Sequence, residues 1–159
     1  QLLKHHVVLI MNSQPIEHEF YVLTLDEQNS NYRIYSEKLV KEWILDLDNI
    51  ENKGFKVEFA VDMDESNLKT EYIKDILYCG LVTELTIKEI EGKKQLFAKA
   101  KFKIKGAFAE NFRIPGYFDN LTLVPKGKGQ VTENKIYNYT LYGFNLISKQ
   151  ASPFILLQK

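Results

Sequence analysis

Hydrophobic and polar positions alternate with period 2 along most of the chain, the spacing of half-buried strands. His6 to Met11 is a β-branched run, and Glu17 to Leu25 follows it after a break at Ser13-Gln14-Pro15. Phe55, Val57, Phe59, Val61 and Met63 alternate with Lys56, Glu58, Ala60 and Asp62, which predicts a strand with the apolar set inside. Tyr78 to Ile90 and Gln95 to Ile104 flank Glu91-Gly92-Lys93-Lys94, the sequence of a hairpin turn. The polar stretch from Asp64 to Glu71 reads as a loop. Asn120 to Val124 reads as a short strand stopped by Pro125, Lys126-Gly127-Lys128-Gly129 as a loop, and Lys135 to Ile147 as a last long strand.

One segment has helical spacing instead. Leu39, Val40, Trp43, Ile44 and Leu47 form a stripe, with Lys38, Lys41, Glu42 and Asp46 outside it. Ser36 is placed to cap its start, and Asn52-Lys53-Gly54 to end it. Ala107 to Phe112 is a candidate for a second, short helix. No repeat, low-complexity tract or linker divides the chain. The expectation is a single domain over residues 1–159, α+β and mostly antiparallel β: a small barrel with one or two flanking helices.

Composition narrows the class. The chain has 159 residues, 45% apolar and 13% aromatic, with 21 basic against 21 acidic side chains. That balance argues against disorder and against a globally basic nucleic-acid binder. The lone Cys79 excludes an intramolecular disulfide and an all-cysteine zinc site. The longest apolar run, Val7 to Met11, is far below the roughly 18 residues of a membrane span. It is also too short for a signal-peptide core, so the chain is expected inside the cell, with no membrane partner.

Chemistry is sparse. His5 and His6 are adjacent, so on a strand they point to opposite faces, and His18 lies in another strand. No carboxylate or cysteine stands at metal-ligand spacing around them, so neither a metal nor a cofactor is expected. Cys79 reads as a small buried hydrophobe rather than a nucleophile. Lys99, Lys101, Lys103 and Lys105, on one face with Phe97, form a basic stripe. Such a stripe suits single-stranded nucleic acid, or else is a solvated outer face whose lysines discourage edge pairing. Pro125 to Gly129 has the makings of an anion-binding backbone nest flanked by Lys126 and Lys128, although a flexible basic turn is the plainer reading. The candidate anion or nucleic-acid contacts are therefore Lys99, Lys101, Lys103, Lys126 and Lys128.

Three local patterns, taken in order, carry a family resemblance. Asn29-Ser30-Asn31-Tyr32-Arg33-Ile34-Tyr35 runs directly into the helix at Ser36. Leu81 to Ile104 forms a long hairpin with an acidic-Gly turn. Leu123-Val124-Pro125-Lys126-Gly127-Lys128-Gly129 is followed by a strand ending at Gly143-Phe144-Asn145-Leu146-Ile147 and then by Ala151-Ser152-Pro153. Together they resemble the prohead maturation proteases of tailed phages, relatives of the herpesvirus assemblins. The resemblance implies a prohead-protease-like fold.

In that family a serine before the glycine turn is the nucleophile and a histidine is its base. Here Val124 and Pro125 stand at the serine positions and Val61 at the histidine. The resemblance therefore implies a catalytically degenerate member, with other phage head proteins or further copies of itself as partners, in the virion or the host cytoplasm. Two alternatives stay open. One is an active protease using Ser148 or Ser152 with an N-terminal histidine; the other is a single-stranded nucleic-acid-binding barrel.

Overall fold

The computed structural model describes residues 14–51, 53–61 and 75–153. The expected strand His6 to Met11, the adjacent His5, Met63 and the expected loop Asp64 to Glu71 lie outside them. Six strands form one sheet: β1 (Ile16–Thr24), β2 (Phe55–Phe59), β3 (Tyr78–Ile90), β4 (Lys93–Phe102), β5 (Leu121–Thr132) and β6 (Lys135–Ser148). Their order is β1-β4-β3-β2-β6-β5, antiparallel throughout except where β2 runs parallel to β6. The sheet curls into a half-barrel. Its two edge strands approach each other, and there the Thr122 hydroxyl donates to the Tyr21 carbonyl at 2.9 Å.

Turn chemistry places the hairpins. Glu91 and Gly92 both take positive φ (53° and 79°), the two-residue turn whose twist matches that of the flanking strands. Glu133 and Asn134 do the same (50° and 69°), and this turn joins β5 to β6. The sequence had suggested that a strand ends at Pro125 and a Lys-Gly loop follows. Instead β5 continues through Pro125 to Thr132. A proline is tolerated there because β5 is an edge strand.

The two glycines in β5 serve packing. A Cβ on Gly127 would collide with the Thr140 carbonyl oxygen and come within 2.5 Å of Tyr139 Cε1. One on Gly129 would lie 2.8 Å from Tyr139 Cδ2. The bare strand lets the Tyr139 ring lie across it. Tyr139 in turn meets Trp43 (5.4 Å between ring centroids) and Tyr35 (6.0 Å).

Trp43 belongs to α1 (Glu37–Asn49), whose expected stripe is largely confirmed: Leu39, Val40, Trp43 and Leu47 are buried. Ser36 caps the helix, its Oγ accepting from the Leu39 N–H at 3.2 Å. The short α2 (Ala109–Phe112) and the 3₁₀ turn after it press Phe112 and Phe118 onto Phe102 of β4, at 4.7 and 4.8 Å between centroids. Phe20 of β1 joins them, and Phe108 stacks on Phe59 at 4.1 Å.

Strand β2 departs from its expected alternation. Phe55 and Val57 are buried as expected, but so are Glu58 (0% exposed) and Ala60, whereas Phe59 and Val61 are only half-buried. The strand ends at Phe59 and lies inside the sheet with both of its faces covered, so parity alone does not sort its side chains. The aromatic layer sets an order of costs. Phe102→Ala, at a buried ring touching three others, should cost about 3–5 kcal/mol in urea unfolding. Phe59→Ala, at a half-buried ring, should cost less.

Candidate functional site

Three polar side chains lie inside the protein on neighbouring strands. Lys126 Nζ of β5 sits 3.1 Å from Glu58 Oε2 of β2, with the two side chains 1% and 0% exposed. Between them runs β6, where Asn145 is buried as well. The register explains the grouping. Glu58 is opposite Asn145, and Asn145 is opposite Val124. Directly opposed residues share a face, and Lys126, two residues beyond Val124, returns to that face. The Asn145 Oδ1 atom has no hydrogen-bond partner among the described residues. Buried charges are tolerable only when paired, and removing one partner is far costlier than losing a surface pair.

This burial corrects one expectation. Lys126 is not available to an external anion, because its ammonium faces Glu58 in the interior. The Pro125–Gly129 nest is likewise replaced by extended strand. Lys128 lies in the exposed part of that strand.

Lys99 and Lys101 emerge from one face of β4 and Lys103 follows just past its end, but acidic neighbours accompany the first two. Glu19 and Glu84 are opposite Lys99, and Glu17 is opposite Lys101. Lys99 Nζ lies 3.5 Å from Glu84 and 3.8 Å from Glu17. Lys103 sits over the Tyr78 ring at 4.1 Å, and Lys88, paired with Glu19, covers Phe97 at 4.5 Å. The face is an interleaved lattice of both signs. Exposed pairs of this kind contribute about 0–1 kcal/mol each.

The positions that the resemblance would give to a nucleophile and a base are apolar. Val124 is buried opposite Asn145, and Pro125 is opposite Phe144. Val61 lies beyond Phe59, the last paired residue of β2 and the one opposite Leu146. The structure does bring two of the resembling segments together: Ser30 donates from both N–H and Oγ to the Pro153 carbonyl, at 3.1 and 3.0 Å. Asn29 organises that loop, its Oδ1 accepting from Asn31 and Arg33 N–H.

The other nucleophile and base candidates sit apart. His18 stacks on Phe118 (5.0 Å) and meets Phe20 edge-on (4.7 Å), on the wall of an open cleft of about 450 Å³ shared with Arg113 and Asp119. No hydroxyl or thiol hydrogen-bonds to His18 among the described residues. Burial lowers its pKa from 6.5, outweighing the nearby Asp119 carboxylate. Cys79 is buried, donates to the Val57 carbonyl at 3.5 Å, and has its thiol pushed up to about 12 by burial. That is the reverse of an activated nucleophile. Ser152 is fully buried, and Ser148 closes β6 opposite Leu121. Among the described residues no cluster of His, Cys, Asp and Glu could hold a metal ion, and no helix is long and apolar enough to cross a membrane.

Compared with known protein families, curated proteins and solved structures, the chain matches none.

Sequence reasoning missed Glu58 and Asn145, and misplaced Lys126. Glu58 alternates with apolar residues as an outward position would, and Pro-Lys-Gly-Lys-Gly carries the strongest loop signals in the chain. The one usable clue was the unbroken Phe144 to Ile147 run with an asparagine inside it, the mark of a strand covered on both faces.

Lys126→Met should destabilise the protein by about 3–5 kcal/mol in urea unfolding, because it strands a buried carboxylate. Adding Glu58→Met should recover part of that loss; two losses that simply add would mean the groups do not interact. His18 gives a pH signature. Its folded pKa is below its unfolded value, so the unfolded chain binds the proton more readily as pH falls beneath 6.5. Stability should decline from pH 6.5 downward, and His18→Phe should flatten that slope in melts recorded between pH 7 and 5.

Proposed function

We propose that this chain is a head-assembly protein of a tailed phage, built on a prohead-protease-like half-barrel and acting by binding other head proteins rather than by cutting them. The observation that carries this reading is the setting of Val124. Across from the position the family gives to its nucleophile stand Asn145 and then Glu58, with Lys126 turned toward them. A serine hydrolase needs a hydroxyl and a base within about 2.6–3.2 Å of each other. An internal lysine–carboxylate pair occupies this neighbourhood instead. The contact between the Asn29 loop and Pro153 supports the same reading, because it joins the first and last segments of the resemblance. The acidic lattice around Lys99 and Lys101 weighs against single-stranded nucleic acid as the partner.

Sedimentation of head assemblies from cells that make the chain tests the proposal. The chain should travel with head-sized particles and should not react with a serine-directed fluorophosphonate. Specific labelling of Ser148 or Ser152, lost when His18 is replaced, would restore the protease. The lysine face supplies a second arm. Replacing Lys99, Lys101 and Lys103 together with Gln should leave the particle association and the fold intact. A tight, salt-sensitive affinity for single-stranded DNA that this triple variant abolished would favour a nucleic-acid binder.

A further inference from the structure

The buried cluster has the composition of a covalent cross-linking site. Lys126 offers an amine, Asn145 a carboxamide, and Glu58 a carboxyl group that touches the amine at 3.1 Å. All three are sealed from water. Lys126 and Asn145 are diagonal neighbours on adjacent strands, since Asn145 is opposite Val124 and Lys126 is opposite Gly143. Diagonal positions lie about 7–8 Å apart at the backbone, within reach of a lysine side chain. Gly143 puts no side chain opposite Lys126. Glu58 is directly opposite Asn145 in β2, so the carboxyl group that meets the amine lies on the same face as the amide.

We propose that Lys126 and Asn145 join spontaneously through an isopeptide bond, with Glu58 as the proton-transferring group. In the first step a proton passes from the Lys126 ammonium to the Glu58 carboxylate across their 3.1 Å contact, leaving a neutral amine and a carboxylic acid. The amine is then a nucleophile. The carboxylic acid donates a hydrogen bond to Asn145 Oδ1, the amide oxygen that has no other partner among the described residues, and polarises its carbonyl.

Lys126 Nζ attacks Asn145 Cγ, forming the N–C bond. The Cγ–Nδ2 bond breaks, and Glu58 carries a proton from Nζ to the departing nitrogen. One amide is exchanged for another, ammonia leaves, and it takes the original ammonium proton with it as it reaches water. No oxidant, reductant or co-reactant is needed. Burial supplies the orientation, holding amine and amide together without competing water. The product staples edge strand β5 to β6, which would suit a subunit that must resist force or proteolysis.

Intact-mass measurement of the purified, folded chain is the test. The expected mass is lower than the sequence mass by one ammonia, and a proteolytic digest should contain a branched species joining the Lys126 and Asn145 peptides. Chain held in denaturant from the start should keep the full mass and lose ammonia only on refolding. Asn145→Asp should link with loss of water instead, whereas Lys126→Met, Asn145→Ala and Glu58→Gln should retain their full masses. Because the wild-type mass decides the question, a variant that fails to fold does not obscure it. Full mass in the folded wild type, with Lys126 and Asn145 both unmodified in the digest, would overturn the proposal.

Discussion

The Glu58–Lys126 contact is the constraint on which the rest of the half-barrel depends. It reaches across β6 to tie an interior strand to an edge strand, and both charges lie wholly out of water. Each ion alone in that setting would cost several kcal/mol, so the pair tolerates little displacement. A shift of β5 by one residue would turn Lys126 to the other face and leave Glu58 without its counter-charge. The pair thus selects one register for β5 on β6 and, through Asn145, one placement of β6 beside β2.

The bare glycines of β5 that follow Lys126 reinforce that choice. Tyr139 can rest across Gly127 and Gly129 only in this alignment, and Trp43 then packs the helix against the tyrosine. Burial pushes the Tyr35 hydroxyl up to about 12 and raises that of Tyr139 as well, so both rings stay neutral within this layer. A run that reads as a loose basic turn is in this way an ordered strand whose composition answers to a ring lying on it. The same polar cluster bears on function. Its amine and carboxyl group are paired out of water, with a buried amide on the strand between them, so whatever it does is done within the fold.

The surface obeys weaker rules. Lys99 lies among Glu17, Glu19 and Glu84, and Glu37 is held at a pKa of about 2 by hydrogen bonds from Lys41 and Lys94. These groups are solvated, and each contributes less than the aromatic contacts beneath them. They govern what the face attracts, and with both signs interleaved it presents no uniform field to a polyanion.

What the sequence determined by itself was local. The α1 stripe and its Ser36 cap, the Glu91-Gly92 turn, the alternation of Leu96 to Phe102 and the burial of Cys79 all rest on near neighbours or on intrinsic polarity, and all are found in the structure. The tertiary structure alone decided that β2 has both faces covered, that Glu58 therefore points inward, and that Lys126 meets it with Asn145 buried on the strand between. Those three residues lie far apart along the chain, and each obeys a local rule that points elsewhere: an outward glutamate, a loop lysine, an asparagine near a strand end. Only the strand order β2-β6-β5 sets them on one face, because charge pairing in a dry interior outweighs the small local preferences that read them otherwise.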